Sequence, residues 1–136
     1  MDAFTRQRRV RFSETDYAGI MFYPRYIEVL NDAVEDWFRE VAECSFDSLL
    51  DDYGLGSPLV SLETEFFKPN RLGDEIEIAV YVDHVGASSI RFRVEAMNGD
   101  EIRVRSLLTH VCVTRDISKA TPWPPSVREK FVKGVH

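Results

Sequence analysis

A change of hydrophobic period near Pro58 is the feature of the sequence that most restricts its fold. From Pro24 to about Val41, apolar residues recur at three- and four-residue intervals, which predicts one long amphipathic helix. Pro24 suits the first turn of a helix, because the N–H that proline lacks would have no partner there. Beyond Pro58 the period becomes two, which predicts β-strands. A chain with one long helix and several strands is expected to bury the helix against a sheet.

Five segments carry the alternation expected of β-strands. The first, at about residues 5–12, precedes the helix and is predicted to place Val10 and Phe12 on one face. The last two strands are separated by the sequence Asn-Gly-Asp at 98–100, a strong hairpin signal because Asn and Gly tolerate positive φ. The four later strands are predicted to form an antiparallel meander, at about residues 59–68, 75–82, 89–96 and 101–114.

Two shorter elements complete the predicted secondary structure. Ser45 is a candidate N-cap for a second helix that runs through Tyr53 and ends at Gly54. The proline-rich segment 122–126 is stiff, and we expect it to pack on the surface before a short terminal helix. Because 136 residues is an ordinary length for one domain, the sequence predicts a single α+β domain over residues 1–136.

Charge and composition argue against several classes of partner. The formal net charge is −6, whereas a general nucleic-acid binder needs a basic face. The N-terminus has no apolar stretch typical of a signal peptide, and no apolar run approaches the roughly 20 residues that span a bilayer. We therefore expect a cytoplasmic protein with no nucleic-acid partner and no membrane partner.

The spacing of cysteine and histidine gives no indication of a metal site. Cys44 and Cys112 lie far apart without a CxxC motif, so both are predicted to be free thiols in a reducing compartment. His84 and His110 stand singly in strand patterns, and no HxxxH or HxH pairing occurs. We expect neither a metal nor a cofactor.

The ratio of helix to sheet predicts a homo-oligomer. One amphipathic helix covers only one face of a five-stranded sheet. Long strands of this kind usually need a second layer on the other face, and a second copy of the chain is the economical source of one.

A short motif joins the first strand to the long helix. The strand is followed by Asp16, by Gly19 three residues later, and by the Tyr23-Pro24 step that opens the helix. The stretch at 10–26, VRFSETDYAGIMFYPRY, resembles the signature of the 4-hydroxybenzoyl-CoA thioesterase branch of hotdog proteins. The later strands and the proline-rich segment are also similar to the family pattern, so the resemblance extends along nearly the whole chain.

The resemblance implies a hotdog fold, in which a five-stranded antiparallel sheet wraps a long central helix. It implies dimers with one continuous sheet, often paired into tetramers, and active sites at the subunit interfaces. The implied reaction is the hydrolysis of an acyl-CoA thioester to a free acid and CoA, with CoA as part of the substrate rather than a cofactor. Asp16 matches the catalytic carboxylate of the family, and Tyr23 matches its backbone donor at the helix start.

The chemistry of thioester hydrolysis suits these two residues. The carbonyl oxygen becomes more negative as it is attacked, and the first N–H groups of a helix are unpaired and lie at the positive end of its dipole. The N–H of Tyr23 is therefore placed to polarise the carbonyl. Asp16 can attack directly to form an anhydride, or it can deprotonate an attacking water. As an alternative, the Asp16 carboxylate only caps N–H groups of the turn that Gly19 closes.

Four further residues are candidates for binding the substrate. Gly19 shapes the turn, and Phe22 and Tyr26 can line an aromatic or medium-chain acyl pocket or simply belong to the core. The aromatic pair at 66–67 has the same two interpretations. Ser88 resembles a polar step near the active site of the family, or it belongs to a plain hairpin turn.

The acyl group and the carrier stay open at the level of sequence. Asn31 occupies a helix position that is acidic in the hydroxybenzoyl-type enzyme, so the acyl group can be aromatic, short-chain or medium-chain. An enzyme of the same fold that acts on acyl-carrier-protein thioesters has the same signature. A hotdog protein that binds acyl-CoA without hydrolysing it need not retain Asp16. A small α+β cone that binds steroids usually opens with more helical sequence than this chain has.

Overall fold

The structure, a computed structural model, describes residues 3–135. Its longest helix follows the first strand and precedes all the others, as the sequence predicts. In chain order the elements are β1 (Phe4–Arg9), α1 (Tyr23–Glu40), α2 (Phe46–Tyr53), β2 (Leu55–Gly56), β3 (Leu59–Phe66), β4 (Glu75–Val85), β5 (Ser89–Asn98), β6 (Glu101–Val111), β7 (Val113–Thr114) and α3 (Pro125–Lys133).

Five strands form one antiparallel sheet in the order β1-β4-β5-β6-β3, and the short β2 and β7 pair separately. The predicted meander is therefore correct for β4, β5 and β6 and wrong for β3. That strand does not pair with β4, its neighbour in sequence, but lies beside β6, with Leu62 opposite Leu108. The reason is that β1 already occupies the outer edge of β4, where Phe4 pairs with Val80, so the free edge of β6 receives β3.

The first strand is shorter than the alternation predicts. The N–H of Val10 donates to the Asp74 carbonyl at 2.9 Å, and the Val10 carbonyl accepts the N–H of Gly73 at 3.0 Å. The chain then leaves the sheet and forms a 3-10 turn at Phe12–Glu14. Val10 is fully buried but Phe12 is 81% exposed, so the prediction that they share a strand face is wrong.

The apolar face of α1 packs on one face of the sheet and forms the core with it. The prediction of a long amphipathic helix is confirmed, and its bounds differ by one residue from those expected. The buried side chains of α1 are Tyr26, Val29, Leu30, Ala33, Val34, Trp37 and Phe38. The sheet contributes even-numbered residues of three strands, Ile76, Ile78, Val80, Val82, Ile90, Phe92, Val94, Ala96, Val104 and Leu108.

The local turn signals form the structures that they predict. The Ser45 hydroxyl accepts the N–H of Ser48 at 3.2 Å and caps α2, and Gly54 ends the helix with a left-handed φ of 67°. The hairpin at 98–101 is closed by a two-residue turn in which Gly99 has φ 61°. These turns are specified by a few neighbouring residues, which is why the sequence alone reveals them.

The proline-rich segment does not lie wholly on the surface. Trp123 is 2% exposed, and its indole Nε1 donates to the Ser89 carbonyl at 3.1 Å. Its ring packs on Phe131 of α3, with the ring centroids 4.9 Å apart. The surface prediction is therefore wrong for Trp123, because proline stiffens the backbone without deciding where a neighbouring side chain points.

This arrangement is the α+β hotdog fold that the resemblance implies, with a five-stranded antiparallel sheet around one long helix. Within residues 3–135, no helix is long and apolar enough to cross a membrane. The start of α1 lies where the loop after β1 meets the loop after β3, through a bridge between Ile20 and Arg71. The candidate site lies at this meeting point.

Candidate active site

The loop between β1 and α1 is held by main-chain hydrogen bonds on both sides of Asp16. The N–H of Met21 donates to the Asn70 carbonyl at 2.8 Å, which ties the loop to the segment after β3. The N–H of Phe22 donates to the Glu14 carbonyl, also at 2.8 Å, which closes the loop on itself. The backbone on both sides of Asp16 is therefore fixed by main-chain hydrogen bonds.

Asp16 begins the tight turn that Gly19 closes. Gly19 has φ 80°, a conformation that residues with a Cβ rarely adopt, and its N–H donates to the Asp16 carbonyl at 3.0 Å. In the side chain, Oδ1 accepts the N–H of Ala18 at 2.9 Å. Among residues 3–135, no hydrogen bond or ion pair engages Oδ2 of Asp16. The turn-capping interpretation is thus correct for one carboxylate oxygen, and the other is available for chemistry.

Glu14 ties the same loop to β1 through Arg8 and to the residues that follow β1 through Arg11. Its Oε1 accepts the N–H of Arg11 at 2.9 Å, and its other oxygen forms an ion pair with Arg8. Burial raises the pKa of Glu14, but the hydrogen bonds and positive charges of Arg8 and Arg11 outweigh it, so the pKa lies below its usual value. Glu14 is therefore a paired structural carboxylate rather than a second reactive one.

The first turn of α1 presents an unpaired amide. The helix begins at Tyr23, with Phe22 as N-cap and Pro24 next, and no side chain caps it. The Phe22 carbonyl accepts the N–H of Tyr26 at 3.1 Å, but in the part of the chain that the structure describes the N–H of Tyr23 has no partner. Because Tyr23 is the first residue of the helix, no helical carbonyl lies one turn before it, and its amide is a free donor at the positive end of the helix dipole.

Asp16 and Tyr23 line the same cavity, which has a volume of about 460 Å³. That volume lies within the range of roughly 300–1,000 Å³ typical of small-molecule sites. The ring of Phe66 meets Tyr23 and Tyr26 edge-on, with centroid distances of 6.5 and 6.1 Å. The remaining lining residues come from the loop that leads into α1 and from the loop that follows β3. They are Ile20, Met21, Phe22, Phe67, Lys68, Pro69 and Asn70.

A buried polar pair lies in the wall of this cavity. Tyr26 is 2% exposed and Asn70 is fully buried, and Nδ2 of Asn70 donates to the Tyr26 hydroxyl. Burial raises the pKa of Tyr26 well above its usual value, and the hydrogen bond from Asn70 opposes this only in part. Oδ1 of Asn70 is buried without a hydrogen-bond partner among the described residues.

The structure brings together four of the six residues that the sequence predicts for the site. Gly19 shapes the turn but does not line the cavity. Ser88 lies in the turn between β4 and β5, where its carbonyl accepts the N–H of Cys112 at 2.7 Å, and its role in the site stays a prediction. Asn70 was not predicted, because nothing in the sequence of its turn indicates a buried partner in α1. The predicted residues that line the cavity are Asp16, Phe22, Tyr23 and Tyr26.

The two cysteines are poorly suited to nucleophilic catalysis. Both are buried free thiols, as the sequence predicts. Burial raises the pKa of Cys112 to about 11, and it also raises the pKa of Cys44. A thiol with a raised pKa has little of the reactive thiolate near neutral pH. Asp16 is therefore the better candidate for the reactive group.

The fold and the site define a hotdog protein with a carboxylate and a free helix-start amide at one aromatic cavity. A model of the Thioesterase-like superfamily matches residues 10–131, and the chain belongs to that family. The prediction of a hotdog thioesterase, made from the motif at 10–26, is thereby confirmed at the level of the family.

Individual relatives are distant in sequence but similar over most of their length. The 1,4-dihydroxy-2-naphthoyl-CoA hydrolase of Synechocystis sp. is 23% identical over 91% of this chain and 91% of that protein. A thioesterase superfamily structure from Jannaschia sp. CCS1 is 24% identical with a TM-score of 0.89, over 98% of this chain and 94% of that one. A Staphylococcus aureus protein solved in complex with CoA is 13% identical with a TM-score of 0.89, over 98% of this chain and 86% of that one. At these identities the two structures show the fold alone.

Proposed function

We propose that the protein hydrolyses the thioester bond of an acyl-CoA and releases a carboxylic acid and CoA. The observation that carries the proposal is the presence, at one cavity, of a free carboxylate oxygen on Asp16 and an unpartnered N–H on Tyr23. Membership of the thioesterase family supports the class of reaction. The Synechocystis relative is named as the hydrolase of a CoA thioester.

The two groups have complementary roles in the proposed mechanism. The N–H of Tyr23 donates to the thioester carbonyl oxygen, which becomes more negative in the transition state. In one route Oδ2 of Asp16 attacks the carbonyl carbon, the CoA thiolate leaves, and water hydrolyses the resulting anhydride. In the other route Asp16 removes a proton from a water that attacks the carbonyl, and the proton is passed to the departing sulfur. Both routes restore the Asp16 carboxylate at the end of the cycle.

The acyl group is proposed to be aromatic. Four aromatic side chains of the cavity are arranged with tilted or edge-on contacts, and aromatic rings favour such contacts with a further ring. The name of the Synechocystis relative points to the same class of acyl group. Short-chain and medium-chain acyl groups are the alternatives, and a substrate panel separates them.

Release of free thiol from a panel of thioesters tests the proposal, with wild type and Asp16→Asn compared. The panel contains benzoyl-, hydroxybenzoyl-, naphthoyl-, short-chain and medium-chain acyl-CoA. We expect the variant to lose on the order of 10³-fold or more in kcat, because it removes the charged nucleophile or base. The amide oxygen of asparagine can still accept the N–H of Ala18, so the turn should persist. Asp51→Asn, at an exposed position in α2, is the matched control.

Other outcomes of this assay would contradict the proposed mechanism or the proposed function. Wild-type turnover in Asp16→Asn would remove Asp16 from the mechanism. If the folded wild type hydrolyses no acyl-CoA, hydrolysis of acyl-carrier-protein thioesters would indicate the second candidate. Tight binding of acyl-CoA without any hydrolysis would indicate a protein that only binds its ligand.

We also propose that the protein works as a homodimer, or as a homotetramer made of two such dimers. In each dimer the two copies pair through β3. This strand is the edge of the sheet next to β6, so one side of its backbone has no neighbouring strand within residues 3–135. Apolar side chains on both of its faces are exposed, including Leu59, Val60 and Leu62. An exposed, apolar edge strand favours pairing with another strand, and a second copy of β3 is the occupant that we propose.

Sedimentation equilibrium tests this assembly. The chain mass is 15.7 kDa, so a dimer would have about twice and a tetramer about four times this mass. Leu62→Lys adds a charge to the proposed interface and should shift the protein towards the monomer. Thr5→Lys adds the same charge to β1, the opposite edge of the sheet, and serves as control. A monomeric wild type, or equal effects of the two changes, would exclude assembly through β3.

A further inference from the structure

Asn70 contacts two separate parts of the candidate site, and the proposed mechanism does not use it. It is fully buried in the loop after β3. Its carbonyl accepts the N–H of Met21 at 2.8 Å, and its Nδ2 donates to the hydroxyl of Tyr26. The first contact is to the loop that carries Asp16, and the second is to the first turn of α1.

The first contact reaches Asp16 through a narrow antiparallel ladder. Thr15 and Met21 form a bridge within the loop. Next to this bridge, the N–H of Asp16 donates to the Ile20 carbonyl at 3.0 Å. Because Met21 also donates to Asn70, the main chain at Asp16 is joined to the loop after β3 by consecutive main-chain hydrogen bonds.

The second contact reaches the free amide of Tyr23. Tyr26 lies three residues further along the helix, and its N–H donates to the carbonyl of the N-cap residue Phe22 at 3.1 Å. The hydroxyl of Tyr26 and the N–H of Tyr23 therefore belong to one helical turn, whose backbone moves as a unit. A hydrogen bond on that hydroxyl also restrains the position of the amide.

The loop after β3 is itself anchored to the sheet. The carbonyl of Arg103 in β6 accepts the N–H of Phe67 at 2.8 Å, and its Nη1 donates to the Pro69 carbonyl at 2.6 Å. Asn70 thus extends both of its contacts from a fixed base.

The buried pair is not needed for a stable core. Oδ1 of Asn70 is buried without a partner among the described residues, and such an atom has lost its hydrogen bonds to water. Replacing both members of a buried hydrogen bond by apolar groups of similar shape is often neutral or stabilising. Asn70→Leu combined with Tyr26→Phe would fill nearly the same space without a polar atom. Stability alone therefore does not account for the pair.

We propose that Asn70 is a positioning residue that fixes the separation between the Asp16 carboxylate and the N–H of Tyr23. The inference rests on the proposed function and adds to it a residue that acts through Met21 and Tyr26 without touching the substrate. The thioester must place its carbonyl oxygen on the amide while its carbon faces the carboxylate or the attacking water. A displacement of about 1 Å between such groups costs on the order of 100-fold in rate.

Steady-state kinetics with the best thioester of the panel test this role. Asn70→Leu, Tyr26→Phe and the double variant all break the same link, while the main-chain bond from Met21 remains. We expect kcat to fall about 10- to 100-fold in each variant, with KM changed by no more than about twofold. The double variant should be no slower than the slower single variant, because one link is lost only once. Tyr17→Phe removes a fully exposed hydroxyl from the Asp16 loop and should keep the wild-type kcat.

The double variant separates positioning from a loss of stability. Asn70→Leu alone leaves the Tyr26 hydroxyl unpaired, whereas the double variant leaves neither polar group of the pair. Its urea midpoint should therefore return to the wild-type value or exceed it, while its kcat stays low. Recovery of kcat together with the midpoint would overturn the inference, and so would a wild-type kcat in either single variant.

The carbonyl stretch of a bound thioester reports on the Tyr23 amide without requiring turnover. The probe is the same thioester with a ¹³C-labelled carbonyl, bound to Asp16→Asn and followed by isotope-edited infrared spectroscopy. A hydrogen bond to a carbonyl lowers its stretching frequency, so we expect a downward shift on binding. The shift should be smaller when Asn70→Leu is added. Equal shifts in the two proteins, or no shift in either, would contradict the role of Asn70.

This measurement also separates the inference from the proposed function. If the wild type hydrolyses no thioester of the panel, labelled benzoyl-CoA becomes the probe, and wild type is compared with Asn70→Leu. A shift that depends on Asn70 would then uphold the positioning role while the proposed reaction fails. Hydrolysis with a kcat and a carbonyl shift that do not depend on Asn70 has the opposite meaning.

Discussion

Two aromatic clusters pack on α1, one near each end, and they differ in their access to solvent. The closed cluster lies towards the C-terminal end, and each of its side chains is at most 2% exposed: Trp37, Phe38, Phe92, Trp123 and Phe131. The open cluster lies at the N-terminal end, and its rings other than Tyr26 are roughly half exposed or more: Phe22, Tyr23, Tyr26 and Phe66. Apolar rings left exposed around a cavity mark a binding site, whereas rings sealed from water mainly stabilise the fold.

The largest expected effect on stability is in the closed cluster. Phe38→Ala removes a ring that contacts Phe131 and Phe92 at centroid distances of 5.4 and 5.7 Å. We expect the free energy of unfolding to fall by about 3–5 kcal/mol, because a buried phenylalanine leaves both lost contacts and a cavity. Urea denaturation of the purified variant measures this loss. A loss below about 1 kcal/mol would mean that the closed cluster does not form the centre of the core.

A smaller loss is expected at Trp123, where the sequence alone predicted a surface segment. Trp123→Phe keeps a ring in place but removes the indole N–H that donates to Ser89. The Ser89 carbonyl still accepts the N–H of Gly86 at 2.9 Å, so it does not lose every partner. We expect a loss of roughly 1–2 kcal/mol from the hydrogen bond and the reduced volume. An unchanged unfolding midpoint in urea would place Trp123 outside the core after all.

Local patterns in the sequence were sufficient for much of this fold. The period of α1, the Ser45 cap and the Gly54 stop each depend on residues that are close in sequence. The position of β3 was not predictable in this way, because it depends on which strand edge β1 has already occupied. Trp123 was misplaced for a related reason, since its packing partners come from other elements.

In the candidate site, too, the residues that are close in sequence were predictable and the contacts between distant residues were not. Asp16, Tyr23 and the turn at Gly19 lie within one short motif, so the resemblance located them together. The pairing of Asn70 with Tyr26 joins positions 44 residues apart, and no local pattern reports such a contact. Ser88 is predicted from the resemblance alone, and in a single chain it does not line the cavity.

In the open cluster, removal of a ring should affect the ligand more than the fold. Phe66 is 50% exposed, so Phe66→Ala should cost only about 1 kcal/mol of unfolding free energy, in contrast to Phe38→Ala. The KM for the best aromatic thioester should rise several-fold, because the ring lines the cavity. Unfolding should be measured at several protein concentrations, since Phe66 belongs to the edge strand that we propose pairs with a second copy. A loss as large as that of Phe38→Ala at every concentration would remove the distinction between the clusters.

The last prediction concerns the dependence of the unfolding free energy on pH. We expect part of this dependence to come from a buried histidine beside the closed cluster. His110 is buried beside Phe38 and Phe92, and its Nδ1 lies 2.8 Å from the Ser57 carbonyl. Burial lowers the pKa of His110, and the hydrogen bond to Ser57 opposes this only in part. Below a pH of about 6.5 the unfolded chain therefore binds a proton that the folded chain does not yet bind. Stability should fall as the pH is lowered from about 6.5 to the folded pKa and then level off with respect to this group.

Replacement of the histidine tests this interpretation within the closed cluster. His110→Gln removes the titrating group, so urea midpoints measured between pH 7.5 and about 5 should change less steeply than those of the wild type. His84→Gln, at an exposed position of β4, is the matched removal of a histidine. A slope that persists in His110→Gln but disappears in His84→Gln would contradict the assignment. None of the described residues that line the cavity of the open cluster is a histidine. The part of the pH dependence that His110 causes therefore arises at the closed cluster and not at the candidate site.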